Sequence, residues 1–225
     1  VLLRLIEKPI FGFRRPVTPF VAQGVAKLSL AILALPLVRI GDPMRRQGAI
    51  VANHGSWLDI LVLNSVQRVY FVSKAEVAGW PGIGWLARAT GTVFIARRGT
   101  EAKAQQNLFE TRLRAGHHLL FFPEGTSNDG TRVLPFRSSF LATAGSAEQV
   151  QPVSLVYDRL GGLPACRRDR PLFAWYGDME IGSHFWRLAR GAGGQVTVVL
   201  HEPLDPRAYP NRKLLTAAVE RVVVE

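Results

Sequence analysis

The chain is poor in cysteine and in acid, and it has no long apolar run. Cys166 is the sole cysteine, which excludes an internal disulfide framework and fits a reducing compartment. Asp and Glu total 17 against 28 Lys and Arg, a formal net charge of +11. So basic a chain calls for an anionic partner: nucleic acid, anionic lipid or an acidic protein. The longest apolar stretch, from Val17 to Leu37, is broken by Gln23 and Lys27. It therefore lacks the roughly twenty apolar residues of a spanning helix, and it lies too deep to be a signal peptide. No Gly-x-Ser-x-Gly elbow is present, which weakens a serine hydrolase, and no phosphate-binding P-loop occurs. His117-His118 lacks the ligand spacing of a zinc site. Neither an aromatic ribonucleoprotein pattern nor a recognition-helix signature appears, so nucleic acid is not expected as a partner.

What the chain does have is an apolar, basic beginning. Its first 48 residues carry eight Lys or Arg against Glu7 and Asp42, interleaved with Leu2, Leu3, Leu5, Ile6, Ile10, Phe11 and Phe13. That mixture suits a helical pair lying in a membrane interface; the other reading is a helix packed on the domain. At 225 residues with 48% hydrophobic content, one folded domain with a real core is expected.

The stretch with most chemical content is Asn53-His54-Gly55-Ser56-Trp57-Leu58-Asp59. A β-branched apolar run precedes it and a helix start follows, with Ser56 placed to cap that helix. Histidine can take a proton from a hydroxyl near neutral pH, and an aspartate on its other ring nitrogen would fix the tautomer. Alone, the pair is equally compatible with a loop histidine and a helix-start aspartate favoured by the macrodipole. Glu124, seventy residues after His54, sits in Phe121-Phe122-Pro123-Glu124-Gly125-Thr126-Ser127, a turn whose amides and hydroxyls can face one spot. Between the two, Gly91-Thr92-Val93-Phe94-Ile95-Ala96-Arg97 ends a strand on a guanidinium suited to phosphate or carboxylate.

Strands are read at Leu37 to Ile40, Ile50-Val51, Val69 to Val72, Thr92 to Ile95, Leu119 to Phe122, Gln151 to Val156, Phe173 to Tyr176 and Val196 to Leu200. One helix is read from Glu101 to Leu113, capped by Thr100 and stopped at Gly116, and another from Leu214 to Val223. Arg159 to Arg170 reads as a surface loop. Gly82-Ile83-Gly84-Trp85-Leu86-Ala87 matches the dinucleotide pattern, but Trp80-Pro81 precedes it where that fingerprint needs a strand. The alternation gives an α/β fold with a mixed, largely parallel sheet flanked by helices. Residues 1–36 form the N-terminal membrane-docking segment and residues 37–225 the main domain.

His-x-x-x-x-Asp, then Gly-x-x-Phe-Ile-x-Arg, then Phe-Pro-Glu-Gly-Thr, with Val150-Gln151-Pro152-Val153 behind them, resembles the glycerolipid acyltransferases that acylate lysophosphatidic acid. Phe71 to Lys74, Trp80-Pro81, Ser127 to Gly130 and Trp175 to Asp178 look most like the bacterial branch acylating lyso-ornithine lipid. The resemblance implies acyl transfer without cofactor or metal, with His54 and Asp59 catalytic. It further implies that Arg97, Glu124, Gly125, Thr126 and, more loosely, Lys74 hold the acceptor's anionic head group. Expected partners are a lysolipid acceptor, an acyl carrier protein or acyl-CoA donor, and an anionic membrane surface. The expected location is the cytoplasmic face of a bacterial inner membrane. Two other activities remain open: a lysolipid or thioester hydrolase, and a basic membrane-binding module without catalysis.

Overall fold

The computed structural model describes residues 2–80, 82–95, 102–142 and 144–225. Two helices lead the chain, α1 (Leu2–Phe11) and α2 (Thr18–Ile32), with Pro19 in the first turn of α2, where a missing N–H costs nothing. Glu7 of α1 is buried and accepts from Val17 N (2.8 Å), Thr18 N (3.1 Å) and Thr18 Oγ1 (2.5 Å). A carboxylate on the open amides at the start of α2 is favoured by hydrogen bonding and by the helix dipole. That contact ties the two helices together. Among the described residues, no helix is long and apolar enough to cross a membrane.

The sheet begins with β1 (Leu37–Ile40) and β2 (Gly48–Ala52), and α3 (Leu58–Val66) crosses from β2 to β3 (Tyr70–Lys74). Next come α4 (Ile83–Thr90), β4 (Val93–Ile95), α5 (Ala102–Arg114) and β5 (His118–Phe121). The chain then runs through β6 (Gln149–Leu160), β7 (Leu163–Pro164), α6 (Ile181–Ala189), β8 (Gly194–Leu200) and α7 (Arg212–Val224). The strand order is β1-β8-β6-β2-β5-β3-β4, with β7 hairpinned onto β6. From β6 through β4 every main pairing is parallel, while β8 runs antiparallel to β6. The sheet is mixed and largely parallel, as the alternation predicts.

Side chains of each strand alternate between two apolar layers, the consequence of a period of two residues. Ile50, Ala52, Phe71, Leu120 and Leu155 pack with Leu30 of α2 and Leu33 just after it, Leu58 and Val62 of α3, and Leu188 of α6. Ala49, Val51, Tyr70, Leu119 and Phe121 pack with Phe109 and Leu113 of α5 and with Leu215 and Val219 of α7. β2, at the centre, is buried at all five positions, as a strand covered on both faces must be. The outward side of α2 stays apolar: Phe20, Val21, Val25, Leu28 and Ile32 are all exposed.

Some local readings are corrected. Phe173 to Tyr176 is not a strand; a short helical turn at Arg170–Leu172 leads into irregular chain. Phe173 instead drives its ring into the core and stacks on Tyr157, 5.1 Å between centroids. Arg159 to Arg170 is only partly loop, since β6 continues to Leu160 and returns in β7. The helix α6 carries no motif signal. It is fixed by long-range contacts, chiefly Trp57 Nε1 donating to His184 Nδ1 at 2.9 Å. Ser56 is not the residue that caps α3, although its Oγ accepts from Leu58 N at 3.3 Å. The glycines of the dinucleotide-like run have structural roles. Gly82 has φ +71, and a Cβ on Gly84 would overlap the Ala78 carbonyl where α4 packs on the preceding turn. Thr100 and Glu101 lie outside the described residues.

A pH dependence follows from His117, buried before β5. Its Nδ1 lies 3.3 Å from Arg112 Nη1, and its ring stacks on Tyr70. Burial first, and the Arg112 charge second, hold its pKa down at about 4 against the usual 6.5. The folded state thus keeps His117 neutral where the unfolded chain protonates it. Its contribution is full above pH 6.5 and is lost as pH falls toward 4, on the order of 3 kcal/mol. Urea unfolding between pH 7 and 4 should show stability falling in that window, and His117→Gln should flatten the slope. An unchanged slope would refute the assignment.

Candidate active site

The parallel strands β2, β5, β3 and β4 point their C-terminal ends to one edge, where open α/β sheets gather ligand-binding loops. His54 follows β2, Glu124 follows β5 and Lys74 ends β3. Arg97, beyond the end of β4, lies outside the described residues.

His54 Nδ1 is 3.0 Å from Asp59 Oδ2, and Asp59 is 1% exposed. The same oxygen accepts from Gly55 N (2.8 Å) and Ser56 N (2.9 Å), and Oδ1 accepts from Tyr157 Oη (2.8 Å). Four donors converge on one carboxylate and hold it in place. Because a carboxylate accepts, the neutral tautomer that suits this contact carries its proton on His54 Nδ1 and its lone pair on Nε2. Burial, with the Asp59 charge, raises the Tyr157 pKa well above 10, so its hydroxyl stays a donor. Phe122 stacks on the imidazole, centroids 4.0 Å apart at 14°. The ring is thus fixed on both sides: a hydrogen bond at one edge and an aromatic face below.

Glu124 is 2% exposed. Its Oε1 accepts from His54 N (2.6 Å), and its Oε2 from Asn128 Nδ2 (2.6 Å) and Leu134 N (2.8 Å). Burial pushes its pKa up, against the pull of the Leu134 and His54 amides, the His54 charge and Asn128. Both oxygens are engaged by the protein, and the carboxylate clasps the His54 loop to the 128–134 loop. Gly125, at φ +74, lets the turn close through Gly125 N to Phe122 O at 3.0 Å. Thr126 is exposed and Lys74 half-buried on the same edge. The amides of His54, Gly55, Ser56 and Gly125 all have protein acceptors, so a developing oxyanion must be met by other donors.

His54 opens onto a cleft of about 450 Å³ whose lining includes Asn53, Asn128, Arg132, Ser154, Tyr157 and Arg170. Sequence reasoning missed several of these. Asn53 joins β2 to β6 through Leu155 N (2.8 Å) and Leu155 O (3.0 Å). Tyr157 and Asn128 complete the polar frame around His54 and Asp59. Tyr157 sits 98 residues from Asp59, and no local pattern announces the pairing.

A buried aspartate, a histidine bonded to it and a cleft beside both, at the C-terminal edge of a largely parallel α/β sheet, have the geometry of an enzyme site. The chain belongs to the acyltransferase family: the family model described as Acyltransferase matches residues 38–158. It is 50% identical to the lyso-ornithine lipid O-acyltransferase of Rhodobacter capsulatus, over 98% of this chain and 80% of that protein. It is 36% identical to the enzyme of that name from Brucella abortus, over 94% of this chain and 82% of that one. Among solved structures it is similar to the 1-acyl-sn-glycerophosphate (LPA) acyltransferase PlsC from Thermotoga maritima. That likeness has a TM-score of 0.65 at 25% identity, covering 91% of this chain and 76% of the other.

Proposed function

We propose that this enzyme moves a fatty acyl group from a thioester to the free hydroxyl of a lysolipid, and that the acceptor is a lyso-aminolipid of the ornithine type. The observation carrying the chemistry is the His54–Asp59 pair with Asp59 held by four donors. What favours the aminolipid over lysophosphatidic acid is 50% identity across nearly the whole chain to a lyso-ornithine lipid enzyme, against 25% to the LPA enzyme of known structure.

His54 Nε2 takes the acceptor's hydroxyl proton as the oxygen attacks the thioester carbonyl. The C–O bond forms, the tetrahedral oxyanion collapses, and the C–S bond breaks. The imidazolium then returns its proton to the departing thiolate, so no acyl-enzyme is needed. Asp59 stabilises the imidazolium and keeps Nε2 aimed at the cleft. Glu124 acts by fixing the backbone of His54. Lys74, Arg97 and the Gly125-Thr126 turn are the proposed contacts for the acceptor's head group. The test incubates labelled acyl thioester with lyso-ornithine lipid, with lysophosphatidic acid, or with neither. Ester on lyso-ornithine lipid supports the reading, whereas free fatty acid alone would identify a hydrolase.

Membrane docking by α1 and α2 belongs to the same proposal, supported by their exposed Leu, Ile, Val and Phe and by neighbouring Arg4, Lys8, Arg14 and Arg15. The enzyme would then lie on the cytoplasmic face of an inner membrane without spanning it. Each basic residue near an anionic surface contributes about 1 kcal/mol, weakened by salt. Flotation with anionic vesicles should fall as salt rises and fall further for Phe20→Ser/Leu28→Ser. Equal flotation of both proteins at every salt concentration would reject the docking.

A further inference from the structure

We propose that a basic pocket at the N-terminal edge of the sheet binds the phosphate head group of an anionic phospholipid, with Arg15, Arg45 and Arg68 on its oxygens. The inference rests on the membrane-docking reading above and names the lipid chemistry that docking selects. The pocket encloses about 930 Å³ between the α1–α2 turn, the chain before β2, and the residues leading into β3 and β5. Its charged side chains are Arg14, Arg15, Arg45, Arg68 and Asp42. It shares no lining residue with the cleft beside His54. His118, in its wall, pairs with Gly48 at the start of β2, whereas His54 follows the end of that strand. Five residues of β2 therefore put about 16 Å between the two sites.

Two acids stand near these cations, and both are engaged. Glu7 accepts from Val17 N, Thr18 N and Thr18 Oγ1 and lies 3.7 Å from Arg4. Asp42 projects into solvent and pairs with Arg39 at 3.8 Å. Among the described residues, the guanidiniums of Arg14, Arg45 and Arg68 make no ion pair and no hydrogen bond. Arg15 is half-buried; its Nη1 donates to Ala89 O at 3.1 Å, and its buried Nε has no partner among the described residues. Behind it, buried Arg112 donates to Gly91 O at 2.7 Å and also leaves its Nε open. Burial, followed by the charge of Arg4, lowers the Arg15 pKa to about 10. Cations gathered without matching acids create a field that draws an anion, and arginine forks suit phosphate oxygens.

The surroundings favour a phosphate that carries acyl chains over one free in solution. Phe11, at the end of α1, and Pro19, in the first turn of α2, line the pocket themselves. Phe11, Phe13 and Phe20 are all exposed. The Arg68 guanidinium lies over the Phe20 ring, 4.3 Å from its centroid, and that of Arg112 over Phe13 at 5.1 Å. Phe20 in turn begins the exposed apolar side of α2. A phosphate held by the arginines thus sets its glycerol and chains against aromatic surface that continues along α2. The apolar side of α2 supplies adhesion to any bilayer, and the pocket adds selection for an anionic head group.

Calorimetric titration with short-chain lipids, kept below micelle formation, tests the pocket without a membrane. Wild type should bind dihexanoyl-phosphatidylglycerol at one site, and zwitterionic dihexanoyl-phosphatidylcholine about 10-fold more weakly. Arg45→Gln/Arg68→Gln should weaken phosphatidylglycerol binding about 10- to 100-fold. Its melting curve should match wild type, because neither guanidinium serves a protein acceptor. Arg212→Gln/Lys213→Gln removes the same charge from the exposed first turn of α7 and should bind as wild type does. Equal losses in the two double variants, or no loss in either, would overturn the proposal. So would inorganic phosphate bound as tightly as the lipid, which would make this a site for free phosphate. If Arg45→Gln/Arg68→Gln fails to fold, Arg45→Gln alone carries the comparison. On phosphatidylcholine vesicles with and without phosphatidylglycerol, wild type should float better with the anionic lipid, and Arg45→Gln/Arg68→Gln should lose that preference. Should wild type float with neither, the docking reading falls and the titration decides the pocket by itself. Phosphatidylglycerol binding lost in Arg45→Gln/Arg68→Gln then supports the site, and absent or unaltered binding refutes it.

Discussion

Replacing His54 with alanine should lower turnover about 10²- to 10⁴-fold, the range that a positioned general base contributes. The fold should survive, because the interactions that organise the loop run through Asp59, Glu124 and the His54 backbone rather than its ring. Removing the ring leaves a space above Phe122 but no buried unpaired donor, since Gly55, Ser56 and Tyr157 still satisfy Asp59. Turnover of purified enzyme at saturating substrates, beside a melting curve, is the measurement. Near-normal turnover in the folded variant would remove His54 from the mechanism. Asp59→Asn is the informative partner. An asparagine can place its oxygen toward His54 and the two amides, and its amide toward a Tyr157 hydroxyl that turns to accept. That variant should fold and yet turn over slowly, because the charge that stabilises the imidazolium is gone.

Glu124→Gln should reduce both stability and activity. The carboxylate serves three donors through two oxygens: His54 N on one side, Asn128 Nδ2 and Leu134 N on the other. Glutamine brings one oxygen and one donor, so in either orientation a buried N–H faces another N–H. The cost is about 2–4 kcal/mol, one unpaired buried donor plus the loss of charge assistance. For a chain of this size that is a fall of roughly 5–15 °C in Tm. Turnover should drop as well, since the His54 backbone loses its anchor, and the acceptor KM should change less than kcat. A variant with wild-type Tm and a raised acceptor KM alone would instead make Glu124 a substrate contact.

Much of the sheet was legible because parallel strands buried on both faces are short apolar runs bounded by turn residues. Leu37–Ile40 was read to the residue, and β2, β5 and β8 to within a few. Helix α7 was legible from its apolar spacing, and its Asn211 cap, which accepts from Lys213 N and Leu214 N, closes it as local chemistry requires. The misread strand at Phe173 to Tyr176 shows where this reasoning fails. Phe173 is buried by a core assembled from β6 and α3, so its burial reflects tertiary contact rather than strand periodicity.

For the site, the sequence alone singled out the groups proposed to carry the chemistry. His54 and Asp59 lie on one turn, close enough for a loop and a helix start to bring them together. Glu124 was conspicuous too, but the structure gives its carboxylate three protein donors. That arrangement depends on β2 and β5 being neighbours, an adjacency decided by strand order and not by any local pattern. The same holds for Tyr157, Asn128 and Arg170, each brought to His54 across a long stretch of chain. Local sequence can specify a reactive group, because backbone geometry acts over a few residues. What surrounds that group, and so fixes its tautomer, its exposure and the charge of its cleft, is decided only when distant strands pair and their loops meet.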